Sequence, residues 1–149
     1  MKPMFVLLIA FAVSVLVLQF TAAGADLPLA ARTALSAMLL FTAMGHFAFS
    51  KGMALMVPPF LPARSQIVWI TGVLEIIAAI TLLIPFTQRA TGWFLLVFFI
   101  VLLPANIYAA FQRLNYQTGN KDGEGPGYLW FRIPFQLILM LWVYVAAIL

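Results

Sequence analysis

The sequence predicts an all-α integral membrane protein: a four-helix transmembrane core with an extra transmembrane helix at its N-terminus, five spans in all. Three observations carry that prediction. The 149 residues are 65% hydrophobic and only 8% charged, with a mean hydropathy of +1.10. Soluble domains run at roughly 45–50% apolar and about 25% charged, so this chain lacks the polar groups to cover a folded surface in water. Five apolar stretches approach the ~20 residues that cross a hydrocarbon core of about 30 Å as a helix. The breaks between them carry Gly, Pro and charge, and nowhere does the chain alternate polar and apolar as barrel strands do.

Composition also excludes several classes of function. A soluble enzyme and a disordered chain do not fit. Nor does a nucleic-acid binder, because the Lys and Arg behind the net charge of +4 are scattered singly rather than gathered on one face. The absence of cysteine removes disulfides, iron–sulfur clusters and thiolate metal sites. One His and four acids give too few ligands for a self-contained metal site, so no metal is expected.

The first span covers residues 4–23. Lys2, the apolar run from Phe5 to Leu18 and then Ala23-Gly24-Ala25 match a secretory signal with a small-residue cleavage site, and they equally match a retained first helix. Residues 1–25 are therefore set apart as a leading helix, signal or anchor, from a membrane domain over residues 26–149. The second span, residues 30–49, carries His46 about one turn from its end, with Thr42, Gly45 and Phe49 on the same face. A lone His in an apolar helix serves as a satisfied structural residue or as a ligand-binding group.

The third span, residues 67–84, holds Glu75 near its middle. Thr71, Gly72, Glu75, Ala78 and Ala79 fall on one face by three- and four-residue spacing. A small-residue stripe lets another helix approach, so this face should look into the bundle. An ionisable side chain at that depth costs several kcal/mol (roughly) unless it is paired or hydrated. Glu75 reads as packing glue or as a proton-relaying or ligand-binding carboxyl, and it could share a proton with His46.

The fourth span, residues 91–111, ends in Pro104-Ala105-Asn106-Ile107-Tyr108. Proline removes the donor for the Ile100 carbonyl, so Asn106 and Tyr108 read as kink repair with an interfacial anchor, or as a pocket wall. The fifth span, residues 129–149, carries Arg132 and Gln136 on one face beside Trp130, either as a snorkelling Arg or as part of a site. With six of the eight basic residues on one side, the positive-inside bias gives N-in/C-out in a bacterial inner (cytoplasmic) membrane. Chain direction then brings His46, Asn106, Arg132 and Gln136 into the inner half with Glu75 deeper, as one polar cluster opening to the cytoplasm.

Two connections stand out. Met56-Val57-Pro58-Pro59-Phe60-Leu61-Pro62 is stiff and greasy, so it should fold back over the inner mouth as a lid or docking surface, with Met53, Met56, Phe60 and Leu61 as contacts. Residues 113–127, with four glycines, read as a flexible aqueous loop.

Over residues 35–149 the sequence resembles the DoxX-like family of small membrane proteins. The resemblance rests on Gly45-His46-Phe47, the Met56 to Pro62 motif, Thr71-Gly72-Val73-Leu74-Glu75, Pro104 to Tyr108, and Leu129 to Gln136 in that order. It implies a four-helix core matching the second to fifth spans, with the leading helix as a departure from the pattern. Relatives in the wider group look like quinone-linked thiosulfate-oxidising subunits or parts of membrane redox assemblies, and more distant ones like chaperones for membrane receptors. No catalytic set transfers position by position. The expected function is a redox-associated accessory subunit holding a quinone or lipid-like ligand, not a complete enzyme on its own, since no residue here carries a redox centre. The alternative is a structural or assembly subunit, or a chaperone, packed against another membrane complex or a second copy.

Overall fold

The computed structural model describes residues 2–21 and 26–149. Ala23-Gly24-Ala25, on which the cleavage reading rests, lies outside the described residues. Among the described residues six α-helices form: α1 (Lys2–Gln19), α2 (Leu27–Ala48), the short α3 (Ser50–Met56), α4 (Arg64–Thr81), α5 (Gln88–Phe111) and α6 (Leu129–Val143). A 3-10 turn, Pro126–Tyr128, leads into α6, and a π-helical turn, Tyr144–Ile148, ends it. There is no strand among the described residues. Five of the helical segments are long and apolar enough to cross a membrane.

Local chemistry sets the helix ends a few residues from the hydropathy boundaries. α2 begins at Leu27 because the Asp26 carboxylate accepts the Leu29 N–H at 2.9 Å, and Pro28 suits the first turn. α4 starts at Arg64, directly after Ala63, which takes a left-handed conformation at φ 54°. It stops at Thr81, where a tight turn leads to Pro85, which cannot continue a helix. Thr87 Oγ1 then donates to the Thr81 carbonyl at 2.7 Å and ties the start of α5 to the end of α4.

α2, α4, α5 and α6 surround one apolar core that includes Leu35, Leu39, Ala78, Leu95, Phe99, Phe135 and Val143. As the stripe on the third span predicts, Gly72, Glu75, Ala78 and Ala79 are buried, while Trp69, Ile70, Val73, Ile77 and Ile80 point outward. Gly72 permits the close approach of α2: a Cβ there would lie 2.9 Å from the His46 Cβ. Ser36 Oγ reinforces the same seam by donating to the Ala79 carbonyl at 2.7 Å. α1 lies along α2 at the edge of the bundle and sends Leu7 into this core. It buries only Leu7 and meets α6 where Phe11 stacks edge-on against Trp142, 5.1 Å between centroids.

Two arginines fix the register at one end. Arg32 donates to the Ala146 carbonyl at 3.0 Å and Arg89 to the Ile148 carbonyl at 3.2 Å, both in the last turn of the chain. Lys2, Met56, Asn106 and Arg132 gather at the opposite end. These are called the Arg89 end and the Lys2 end.

Candidate functional site

The register aligns the polar residues in depth. Fourteen residues beyond Arg32 on α2 lies His46, and fourteen before Ala146 on α6 lies Arg132, each about 21 Å from the anchoring hydrogen bond at 1.5 Å per residue. Asn106 bonds to Arg132 and so shares that level, and Glu75 sits three residues beyond Gly72, which abuts His46. His46, Asn106 and Arg132 therefore lie at a similar level along the bundle.

Laterally the residues divide into two pairs rather than one cluster. Between α2 and α4, His46 Nε2 stands 3.6 Å from Glu75 Oε1, and His46 Nδ1 is 3.1 Å from Thr71 Oγ1. Glu75 is only 4% exposed, and its Oε2 is buried without a hydrogen-bond partner. Between α5 and α6, Arg132 Nη2 donates to Asn106 Oδ1 at 2.9 Å, while Arg132 Nε is buried and unpartnered. No hydrogen bond or ion pair joins the two groups among the described residues. Each pair finds its partners across its own helix–helix seam, and the core of the bundle is aliphatic and aromatic.

Gln136 belongs to neither pair. Its Nε2 donates to the Phe99 carbonyl at 2.7 Å in a buried position, next to the Ile100 carbonyl that Pro104 deprives of its usual donor. Gln136 thus ties α6 to α5 one residue before the carbonyl that Pro104 leaves without its helical donor. Asn106 serves Arg132, and Tyr108, half-buried, takes no hydrogen bond among the described residues.

A cavity of about 290 Å³ opens at the Lys2 end. Asn106 and Arg132 line it, together with Met56, Ala109, Tyr128, Lys2 and the loop residues Asn115, Asp122 and Glu124. His46, Glu75, Tyr108 and Gln136 do not. Composition gave no reason to single out Lys2, Asp122 or Tyr128, which the fold brings to the cavity from the start of α1, the folded segment 113–127 and the turn before α6. That segment is built as a cover rather than a free loop. Gly123 N–H donates to the Arg113 carbonyl at 2.7 Å, Asn115 N–H to the Asn120 carbonyl at 2.9 Å, and Gly119 N–H to the Asn115 carbonyl at 2.8 Å. The Tyr116 backbone seats on Gly52 of α3, where any Cβ would overlap its carbonyl, and the Tyr116 ring meets Phe49 edge-on at 5.9 Å.

The proline-rich connection is buried at its start and exposed beyond Pro58. Met56 reaches the cavity and Val57 is buried beside Ala54 and Val68. Pro58 is half-buried, but Pro59, Phe60, Leu61 and Pro62 are exposed, Phe60 at 81%. The cause is a compact return: Leu61 N–H bonds to the Pro58 carbonyl and Arg64 Nη2 to the Pro59 carbonyl, so the chain turns directly back into α4.

A family model described as a domain of unknown function, DUF8561, matches residues 35–147. The match runs from within α2 through α6 and into the π-helical turn, and leaves α1 outside. Neither a curated protein nor a solved structure matches the chain. Covering about three quarters of the sequence, the family match shows that this chain belongs to the DUF8561 family.

Proposed function

We propose that this protein is a redox-associated membrane accessory subunit that holds the polar head of a quinone or similar lipid-like ligand in the cavity at the Lys2 end. One observation carries the reading. Arg132 lines that cavity, gives Nη2 to Asn106, and keeps its Nε–H buried with no acceptor. Leaving a buried donor unsatisfied costs about 1–3 kcal/mol, and more when it is charged. A carbonyl oxygen entering beside Asn106 offsets that cost. The volume of about 290 Å³ suits a head group, with the isoprenoid or acyl tail left in the bilayer. His46 and Glu75, outside the cavity, tie α2 to α4 in this reading. Electrons come from a partner, since the chain has no cysteine and one histidine. The Lys2 end carries most of the basic residues, which supports N-in/C-out insertion in a bacterial inner membrane with the mouth on the cytoplasmic side.

A second reading draws on α1, which buries a single residue and lies outside the family match: an assembly subunit whose first helix packs on another membrane protein. Native mass spectrometry of protein extracted gently from its own membrane separates the two. The ligand reading expects a stoichiometric quinone-class molecule that is lost in Arg132→Met. Retention by that variant, or a large complex with no small molecule bound, overturns it.

A further inference from the structure

A second concavity, separate from the proposed ligand cavity and independent of that reading, lies at the Arg89 end. It is a groove of about 350 Å³ with an apolar lining, walled by Phe11 of α1, Pro28 and Ala31 of α2, and Ile138, Trp142 and Ala146 along α6 and its terminal turn. Its floor is fixed by the Trp142 indole N–H donating to the Ala31 carbonyl at 3.1 Å, with the Phe11 ring edge-on to the indole.

From this groove we infer a binding site for one phospholipid, its acyl chain in the groove and its phosphate on Arg32. The first support is length. From Ile138 to Ala146 the groove runs eight residues, about 12 Å along the helix, close to the depth of one leaflet, half of a core of about 30 Å. The second is where the charge lies. Arg32 follows Pro28 by four residues, so the two share a helix face, and Arg32 Nη1 bonds to the carbonyl of Ala146, which itself lines the groove. Its Nε and Nη2 have no partner among the described residues, which leaves N–H donors for a phosphate at the headgroup end of the groove. The nearest acid in sequence, Asp26, lies six residues earlier on another face of α2, and its carboxylate caps Leu29. A phospholipid supplies in one molecule the apolar chain that suits the groove and the anionic acceptor that suits the spare donors of Arg32.

The test is native mass spectrometry of the full chain ejected from nanodiscs of phosphatidylcholine containing phosphatidylglycerol. The wild type should keep one phospholipid, with the anionic species enriched. Arg32→Gln should lower its retention about tenfold, the loss of one or two charge-assisted hydrogen bonds, and Arg32→Lys should recover part of it. Because Arg32 also holds the Ala146 carbonyl, Val145→Trp provides an independent variant: residue 145 is half-exposed in the groove wall, and the indole fills the groove with Arg32 untouched. It should abolish the adduct while the helical content stays that of the wild type. Equal retention of both lipids by wild type and variants overturns the proposal. So does a lipid-free dimer that Val145→Trp converts to monomer, which would give the groove to a second copy.

Discussion

Gly72 and Gly45 set two rules against each other. Both glycines lie inside helices, and replacing a helical Gly by Ala gains about 1 kcal/mol of helix propensity. Propensity alone therefore predicts that both Ala variants are stabilised. Packing separates them. At Gly45 a new Cβ meets only the flexible end of Met53, at 3.4 Å, so the gain of about 0.5–1 kcal/mol should survive. At Gly72 the Cβ lands 2.9 Å from the His46 Cβ and 3.1 Å from the Phe47 ring, both held against α4. Such overpacking costs about 1–3 kcal/mol, which outweighs the propensity term. Gly72→Ala should be less stable than wild type by about 1 kcal/mol, and Gly45→Ala more stable. Near-UV circular dichroism followed through an SDS titration in mixed micelles measures both. A Gly72→Ala protein as stable as wild type, or more so, refutes the argument that this seam is closed to a methyl group.

Three other substitutions probe the remaining contacts. Gln136→Leu should cost about 1 kcal/mol, in the range of interhelical hydrogen bonds in membranes, and should speed amide exchange over residues 99–103 just before Pro104; unchanged exchange there would mean that Gln136 does not steady this part of α5. Gly52→Ala should unseat Tyr116 and expose residues 115–125 to limited proteolysis while the bundle stays folded, and an unaltered cleavage pattern contradicts the account of that cover. Glu75→Gln preserves shape and leaves the cavity lining untouched, so ligand retention by native mass spectrometry should equal wild type. Loss of ligand from an intact bundle would move the site onto α2 and α4.

Hydropathy alone was enough to find the five long helices, because each must supply its own backbone hydrogen bonds and an apolar exterior. The buried face of α4 was also legible, since Gly72, Glu75, Ala78 and Ala79 repeat at helical spacing. Spacing also gave the common depth of His46, Asn106 and Arg132. It could not give their lateral partners, which depend on which helices become neighbours: Glu75 faces His46, Asn106 faces Arg132, and Gln136 reaches a backbone carbonyl instead of joining a site. The courses of the two connections were hidden for a similar reason. Apolar composition suggested that Phe60 and Leu61 turn inward, but the hydrogen bonds around Pro58 and Pro59 return the chain at once to α4. Polarity suggested that residues 113–127 were free, but their turns and the Gly52 seat fold them over the cavity.

The central claim is that the Asn106–Arg132 cavity holds an amphiphilic head group, and photolabelling tests it most directly. An azidoquinone irradiated with the protein in native membranes, followed by peptide mass mapping, should label the segments bearing Asn106 and Tyr128–Arg132. An unmodified quinone in excess should displace that label, and Arg132→Met should reduce it. Label confined to lipid-facing positions of α1 or α4, undiminished by competitor and by Arg132→Met, would contradict the account.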